Sequence, residues 1–159
     1  MEELVEVNLD EVVQQSLEVL KWSKNLNSIK IITKKQQDFF IMGSPGRLKQ
    51  VFINFILNAV EAASNDNKNK PVLRIEILSS KDKDCCEVHF KDNGPGIVPQ
   101  IKNKLFEPFV STKEGKSVGL GLYVSYKIIK NHHGEILFDD TYKKGAHFII
   151  KFPIKERHS

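Results

Sequence analysis

Residues 45–63 place Leu48, Val51, Phe52, Phe55, Ile56, Val60 and Ala63 on one face of a helix, a wide apolar stripe that has to be buried. Ser44-Pro45 starts this helix, with Ser44 as N-cap and Pro45 in the first helical position. A second stripe on the same helix carries Asn54, Asn58 and Glu61, spaced i, i+4, i+7. Asparagine is a poor interior helix residue because its side chain competes for backbone hydrogen bonds. Two of them one turn apart, followed by a carboxylate, therefore ask for a use. Neutral amide oxygens and a carboxylate on one stripe suit a hard cation held by phosphates, since Mg²⁺ prefers oxygen ligands and keeps substrate oxygens and waters in its shell. A plain solvent-facing stripe is the alternative. It does not explain why the stripe avoids lysine in a lysine-rich chain.

The rest of the chain supplies a layer for the apolar face. Before the long helix, Asn8 caps a first helix, with Glu11 as its capping-box partner and Leu9, Val12, Val13, Leu17 and Leu20 as its apolar face. Residues 29–33 and 39–42 read as short strands. Residues 64–70 form a polar loop. Residues 72–78 and 86–90 alternate as strands, with Leu73, Ile75 and Ile77 on one side. A short helix is expected at 100–104 and a long mobile loop at 106–118. A helix follows in LGLYVSYKIIKN, closed by Gly134 as C-cap, and strands at 135–139 and 147–153 end the chain. Without an internal repeat or linker, this is one α+β domain: a two-layer sandwich, a mixed sheet with its helices on one face.

Composition narrows the function. At 159 residues, 40% hydrophobic and 28% charged, the chain is large enough for a real core and reads as soluble and globular. Its net charge of +4 comes from scattered lysines, with no basic stripe interleaved with aromatics, so nucleic acid is not an expected partner. A mild positive charge suits a polyphosphate ligand or an acidic partner. Cys85 and Cys86 are adjacent, without metal or redox spacing, and read as reduced strand residues of a cytosolic protein. No apolar run approaches the roughly 18 residues of a membrane span, and the acidic residues after Met1 argue against a signal peptide.

Two glycine-rich segments add chemistry. In DNGPGI (residues 92–97), Gly94 and Gly96 permit positive φ and close approach of a ligand, while Asp92 ends a strand and projects its carboxylate. An ordinary strand–turn has the same composition. In GLGL (residues 119–122), glycines at a helix entry bare N–H groups where the helix end favours anions. Gly115-Lys116-Ser117 is not a P-loop, because Val110 stands where that motif requires glycine and no strand precedes it.

The order of these segments resembles the ATP-binding catalytic domain of sensor histidine kinases, in the superfamily that also holds gyrase, MutL and related ATPases. NFILNAVEA is similar to the N box, DNGPGI to the first glycine box, FEPF to the F box and GLGL to the second glycine box; NHHGEI and GAHFIIKFP resemble the closing strands. NAVEA with FEPFVSTK resembles the nitrogen-regulation branch. The resemblance implies a Bergerat-type sandwich with ATP and Mg²⁺ as ligands. Asp92 would accept from the adenine amino group. Asn58 would ligate Mg²⁺, with Asn54 beside it near the phosphates. Gly94 and Gly96, with Ile97, would admit the base. Gly119, Leu120, Gly121 and Leu122 would offer backbone N–H groups to the phosphates. Phe106 and Phe109 would anchor a lid from which Lys113, next to Thr112, reaches the γ-phosphate.

Three positions depart from the pattern. Ser117-Val118 replaces the usual Gly-Thr, which implies a stiffer lid. Ala146 replaces the Thr that often supports the adenine Asp, leaving that second contact without its usual residue. Glu61 replaces a basic residue found in some members, so no phosphate contact comes from there.

The hydrolytic members of this superfamily carry a Glu general base four residues before the metal Asn, where this chain has Asn54. An amide cannot take the proton of an attacking water, and a general base is worth typically about 10²–10⁴-fold. The implied reaction is therefore phosphoryl transfer to a histidine on a separate dimerisation domain, and from there to a response regulator. None of His89, His132, His133, His147 and His158 has the following acidic residue and nearby Pro of the acceptor, so all five read as structural or surface residues, the pair at 132–133 meeting a helix C-terminus as cations would. The chain thus reads as the cytoplasmic catalytic domain of a longer kinase, without direct membrane contact, whose anchor, if any, lies elsewhere. An ATP hydrolase and a non-catalytic ATP-binding or docking module stay open as alternatives.

Overall fold

The computed structural model describes residues 3–22, 26–64, 70–98, 102, 104–107 and 121–154, with the backbone alone at 63 and 64. Its elements run β1 (Val5–Asn8), α1 (Leu9–Leu20), a 3₁₀ turn (Leu26–Ser28), β2 (Lys30–Lys35), β3 (Phe40–Gly43), α2 (Pro45–Ser64), β4 (Val72–Ser79), β5 (Cys85–Asp92), α3 (Gly121–Asn131), β6 (Glu135–Phe138) and β7 (His147–Pro153). Five strands form a mixed sheet in the order β2-β4-β5-β7-β6. The pair β2–β4 is parallel and the other pairs are antiparallel.

Alternation along the strands divides the sheet into two faces. Leu73, Ile75, Ile77, Cys86, Val88, Phe90, Phe148, Ile150 and Phe152 point to one side and are buried. They meet the apolar stripe of α2, where Leu48, Val51, Phe52 and Ile56 are fully buried. Rings interlock across this seam: Phe55 stacks on Phe90 at 5.3 Å between centroids and meets Phe148 edge-on at 5.2 Å. α1 packs on α2, and α3 on α2 and β6, so the α+β sandwich expected from the sequence is present. Among the described residues no helix is long and apolar enough to cross a membrane.

Several local expectations need correction. The strand at Phe40–Gly43 lies outside the main sheet; it pairs with β1 in a two-stranded antiparallel ribbon, and β1 was not foreseen. Four residues with only Val5 and Val7 alternating give too little period to mark a strand. Asn8 caps α1 by accepting from the Asp10 N–H at 3.0 Å, but Glu11 does not close a box. Asn8 is the last residue of β1, and the next N–H along the chain, that of Leu9, donates to the Phe39 carbonyl at 3.0 Å. Leu17 is half-buried, and Ser16 takes the buried position, bonding back to the Val12 carbonyl at 2.7 Å. The left-handed residue after α3 is His133, at φ 59°, not Gly134. Gly134 is needed for space instead: a Cβ there would stand 2.5 Å from the Lys151 carbonyl oxygen. Most of the helix expected at 100–104 and most of the loop expected at 106–118 fall outside the described residues.

His132 is buried and joins α3 to α2. Its Nδ1 lies 2.8 Å from the Ile128 carbonyl and its Nε2 3.0 Å from the Ser44 N–H. A carbonyl on one side and an N–H on the other fix the neutral Nδ1–H tautomer. The cation expected there is therefore not formed; the ring donates to α3 and accepts from the cap of α2. Cys86 is fully buried, and burial pushes its thiol up to about 12, which keeps it a reduced core residue.

Candidate functional site

The ends of α2, β5 and α3 converge on a cavity of about 90 Å³ lined by Phe55, Asn58, Ala59, Ala62, Leu73, Phe90, Asp92, Pro95, Gly96, Ile97, Leu122, Ala146 and Phe148. Complete small-molecule pockets hold roughly 300–1,000 Å³, so this is room for one group of a nucleotide. Its walls are aromatic and aliphatic, and its acidic group is Asp92.

Asp92 is the last residue of β5 and is 7% exposed. One oxygen, Oδ1, accepts from the Gly94 N–H at 2.9 Å and the Ala146 N–H at 3.0 Å. Oδ2 has no donor among the described residues. The backbone of Asp92 is tied as well: its N–H donates to the Ala146 carbonyl at 3.0 Å, and its carbonyl accepts from the Tyr142 hydroxyl at 3.3 Å. Burial raises the Asp92 carboxyl above its ordinary range, and the Ala146 and Gly94 N–H groups oppose that rise. The support expected from a threonine hydroxyl at position 146 is thus supplied by the main chain of Ala146. It depends on Gly145, where a Cβ would collide with the Asp92 carbonyl at 2.2 Å.

Of the two box glycines, Gly96 has positive φ (81°), whereas Gly94 does not and serves by donating to Asp92. Asn58 faces Asp92 across the cavity from α2, half-buried. Asn54, one turn earlier, lies outside the cavity wall, against the first residue of α3. A Cβ on Gly121 would stand 2.7 Å from Asn54 Oδ1, so the glycine lets α3 begin against the amide. Asn54 Nδ2 donates to Ser125 Oγ at 3.1 Å, and Ser125 is buried. Glu61 is exposed. Phe106 stacks on Tyr126 of α3 at 5.8 Å.

The described candidates thus come together: Asn58, Asp92, Gly96, Ile97 and Leu122 line the cavity, and Asn54, Gly94 and Gly121 stand directly behind it. Phe109, Thr112, Lys113, Gly119 and Leu120 lie outside the described residues. Sequence reasoning missed Ser125, Tyr142 and Gly145. Ser125 left a signal, a hydroxyl between Leu122 and Ile129 on an otherwise apolar helix face. Tyr142 and Gly145 left none, since their partner is about fifty positions away.

Comparison with known proteins identifies the family. Residues 43–156 match the family described as histidine kinase-, DNA gyrase B-, and HSP90-like ATPase. Sporulation kinase A of Bacillus subtilis (strain 168) is 39% identical over 150 residues, which cover 94% of this chain and 24% of that protein. The signal transduction histidine-protein kinase AtoS of Escherichia coli (strain K12) is 30% identical, again over 94% of this chain and 24% of its own length. The chain therefore spans about a quarter of the length of these two relatives. The nucleotide-free catalytic domain of histidine kinase ThkA superimposes with a TM-score of 0.80 at 28% identity, covering 96% of each chain. A structure of ThkA in complex with the response regulator protein TrrA superimposes at 0.77 and 26% identity, covering 96% of this chain and 42% of that one. This chain belongs to the histidine kinase-, DNA gyrase B- and HSP90-like ATPase family, and resembles its sensor histidine kinase members.

Proposed function

We propose that this chain is the ATP-binding catalytic domain of a sensor histidine kinase, which holds Mg-ATP and passes the γ-phosphoryl group to a histidine on a dimerisation domain, with a response regulator as the next acceptor. The observation that carries the reading is Asp92: a buried carboxylate with one oxygen pinned by two backbone N–H groups and the other left toward an apolar slot. Such a group recognises a donor on a flat heterocycle, and the adenine amino group is that donor. Phosphates would then extend toward the start of α3, where the helix end favours anions and Gly121 removes the side chain.

Mg²⁺ fits the donor chemistry present. The amide of Asn58 is a hard, neutral oxygen ligand on the cavity wall. Among the described residues no group of three or more His, Cys, Asp or Glu could form an all-protein cage. One amide plus phosphate oxygens is the arrangement Mg²⁺ accepts. When bound, the ion would neutralise charge on the phosphates. Asn58 would position it, and Asn54, steadied by Ser125, would hold its amide near the phosphates. The parts given to Phe109, Thr112, Lys113, Gly119 and Leu120 rest on the resemblance alone.

Phosphoryl transfer needs a placed nucleophile as well as neutralised charge. Asn54 cannot act as a base on water, which favours the kinase over the hydrolase reading. The test is γ-labelled ATP with Mg²⁺. The chain alone should bind nucleotide but release little phosphate. A matching histidine-bearing dimerisation domain should acquire an acid-labile, base-stable label. Robust phosphate release by the chain alone, lost in Asn58→Ala, would make it a hydrolase.

A further inference from the structure

On the sheet face turned away from the helices, four side chains form an unbroken row. Glu87 Oε1 lies 2.9 Å from His89 Nε2, His89 Nδ1 lies 2.8 Å from His147 Nε2, and His147 Nδ1 lies 3.1 Å from Asp139 Oδ2. Both imidazoles are buried, at 8% and 6% exposure. Three contacts between nitrogen or oxygen lone pairs need three protons. Two neutral imidazoles carry only two. With both carboxylates ionised, the row closes when the pair holds one extra proton, shared between flanking anions.

Charged and polar neighbours surround the row. The hydroxyl and N–H of Thr141 hold Asp139 below the usual carboxylate range. Burial, then the facing His89 and Lys91, push His147 below the usual imidazole range. The extra proton is shared by the two rings, between Glu87 at one end of the row and Asp139 at the other. Glu76 lies opposite His89 on β4 and pairs with Lys91 at 2.8 Å; Lys151 of β7 approaches Glu87 at 3.5 Å; Tyr142 meets the His147 ring edge-on, with Arg74 of β4 close enough to act on its phenol.

The row ends where the support of Asp92 begins. Asp139 and His147 bound the turn that carries Tyr142, Gly145 and Ala146. Tyr142 bonds the Asp92 carbonyl and Ala146 bonds its carboxylate. We propose that the row Glu87–His89–His147–Asp139 is a proton-loaded brace whose four members position Asp92, so that base binding weakens when the brace gives its third proton to solvent. Once that proton leaves, a bare ring nitrogen faces a carboxylate or the other ring, and the turn loses one of its ties. The effect on binding rests on the reading of Asp92 as the adenine acceptor.

The test uses adenosine, which has no phosphate to titrate, across the imidazole range of about pH 5–8. Affinity is followed by NMR titration, and the Ala146 amide by its hydrogen-exchange protection factor. In the unaltered chain, affinity should fall about fivefold as pH rises, a modest coupling between sites, and Ala146 should lose protection in step. In His89→Gln both should become flat. Glu87→Gln keeps the shape but removes an anion beside the protonated pair, so its affinity midpoint should move to lower pH; this variant also serves if His89→Gln fails to fold. A flat profile in the unaltered chain, or an unchanged slope in His89→Gln with no midpoint shift in Glu87→Gln, would overturn the proposal. If Asp92→Asn leaves adenosine affinity intact while Ala146 protection still follows pH and is lost in His89→Gln, the brace stands and the adenine reading falls.

Discussion

The Ala146 N–H holds Oδ1 of Asp92 at 3.0 Å and so sets which carboxylate oxygen is left for a ligand. Asp92→Asn keeps an oxygen for the two backbone donors and places an amide N–H₂ where the adenine amino group would come. A buried donor left unpaired costs about 1–3 kcal/mol, so ATP affinity should fall about tenfold or more in calorimetry. Stability should move the other way. Burial raises the folded Asp92 carboxyl, so its favourable contribution is complete below the unfolded value and is lost as pH rises through the folded one. At neutral pH the buried charge is therefore a cost, and Asp92→Asn should melt higher than the parent without nucleotide. An unchanged affinity would place adenine elsewhere.

Gly121→Ala should strain the start of α3, because the added Cβ would meet Asn54 Oδ1 at 2.7 Å and Nδ2 at 3.0 Å. Overpacking of this kind costs about 1–3 kcal/mol. Denaturant unfolding should show the loss, and adding Asn54→Ala should recover most of it by removing the colliding amide. If the double variant is as unstable as the sum of the singles, the two residues do not press on one another.

Asn58→Ala tests the metal. Removing a contact to a charged group is worth about 1.5–3 kcal/mol, so Mg-ATP affinity should fall about tenfold or more. ATP in chelator should lose far less. Equal losses with and without Mg²⁺ would leave Asn58 a general wall residue.

His132→Ala should destabilise the chain without touching the cavity. It removes the partner of the Ser44 N–H and the donor to the Ile128 carbonyl, and a buried unpaired group costs about 1–3 kcal/mol. Nucleotide affinity per folded molecule should stay close to the parent's. A folded variant with unchanged unfolding free energy would mean that the bridge is not a structural tie.

The sequence made the framework legible wherever the signal was local. The stripe of α2, the alternation of β4 and β5 and the Ser44-Pro45 start are periodic or capping features, and the structure has them in place. Asp92 was legible because a carboxylate at a strand end beside two glycines is a local pattern. What escaped depends on which distant residues meet. Phe40–Gly43 looks like a sheet strand until β1 is found opposite it. His132 looks like a cation at a helix end until the Ser44 N–H is found against its ring. His89 and His147 read as ordinary strand residues, and only the β5–β7 register sets their rings 2.8 Å apart. The same register lets the Ala146 main chain replace a missing hydroxyl.

α2 and α3 are pinned to each other twice. His132 meets Ser44 at one end, and Asn54 meets Ser125 and the start of α3 at the other. Along α2 these pins are about 15 Å apart, and one residue of helix advances only about 1.5 Å. A slip of even one residue would break both at once. These two helices therefore behave as a single ruler rather than as a piston. Sliding one against the other would cost both ties together, so any motion of one helix carries the other with it.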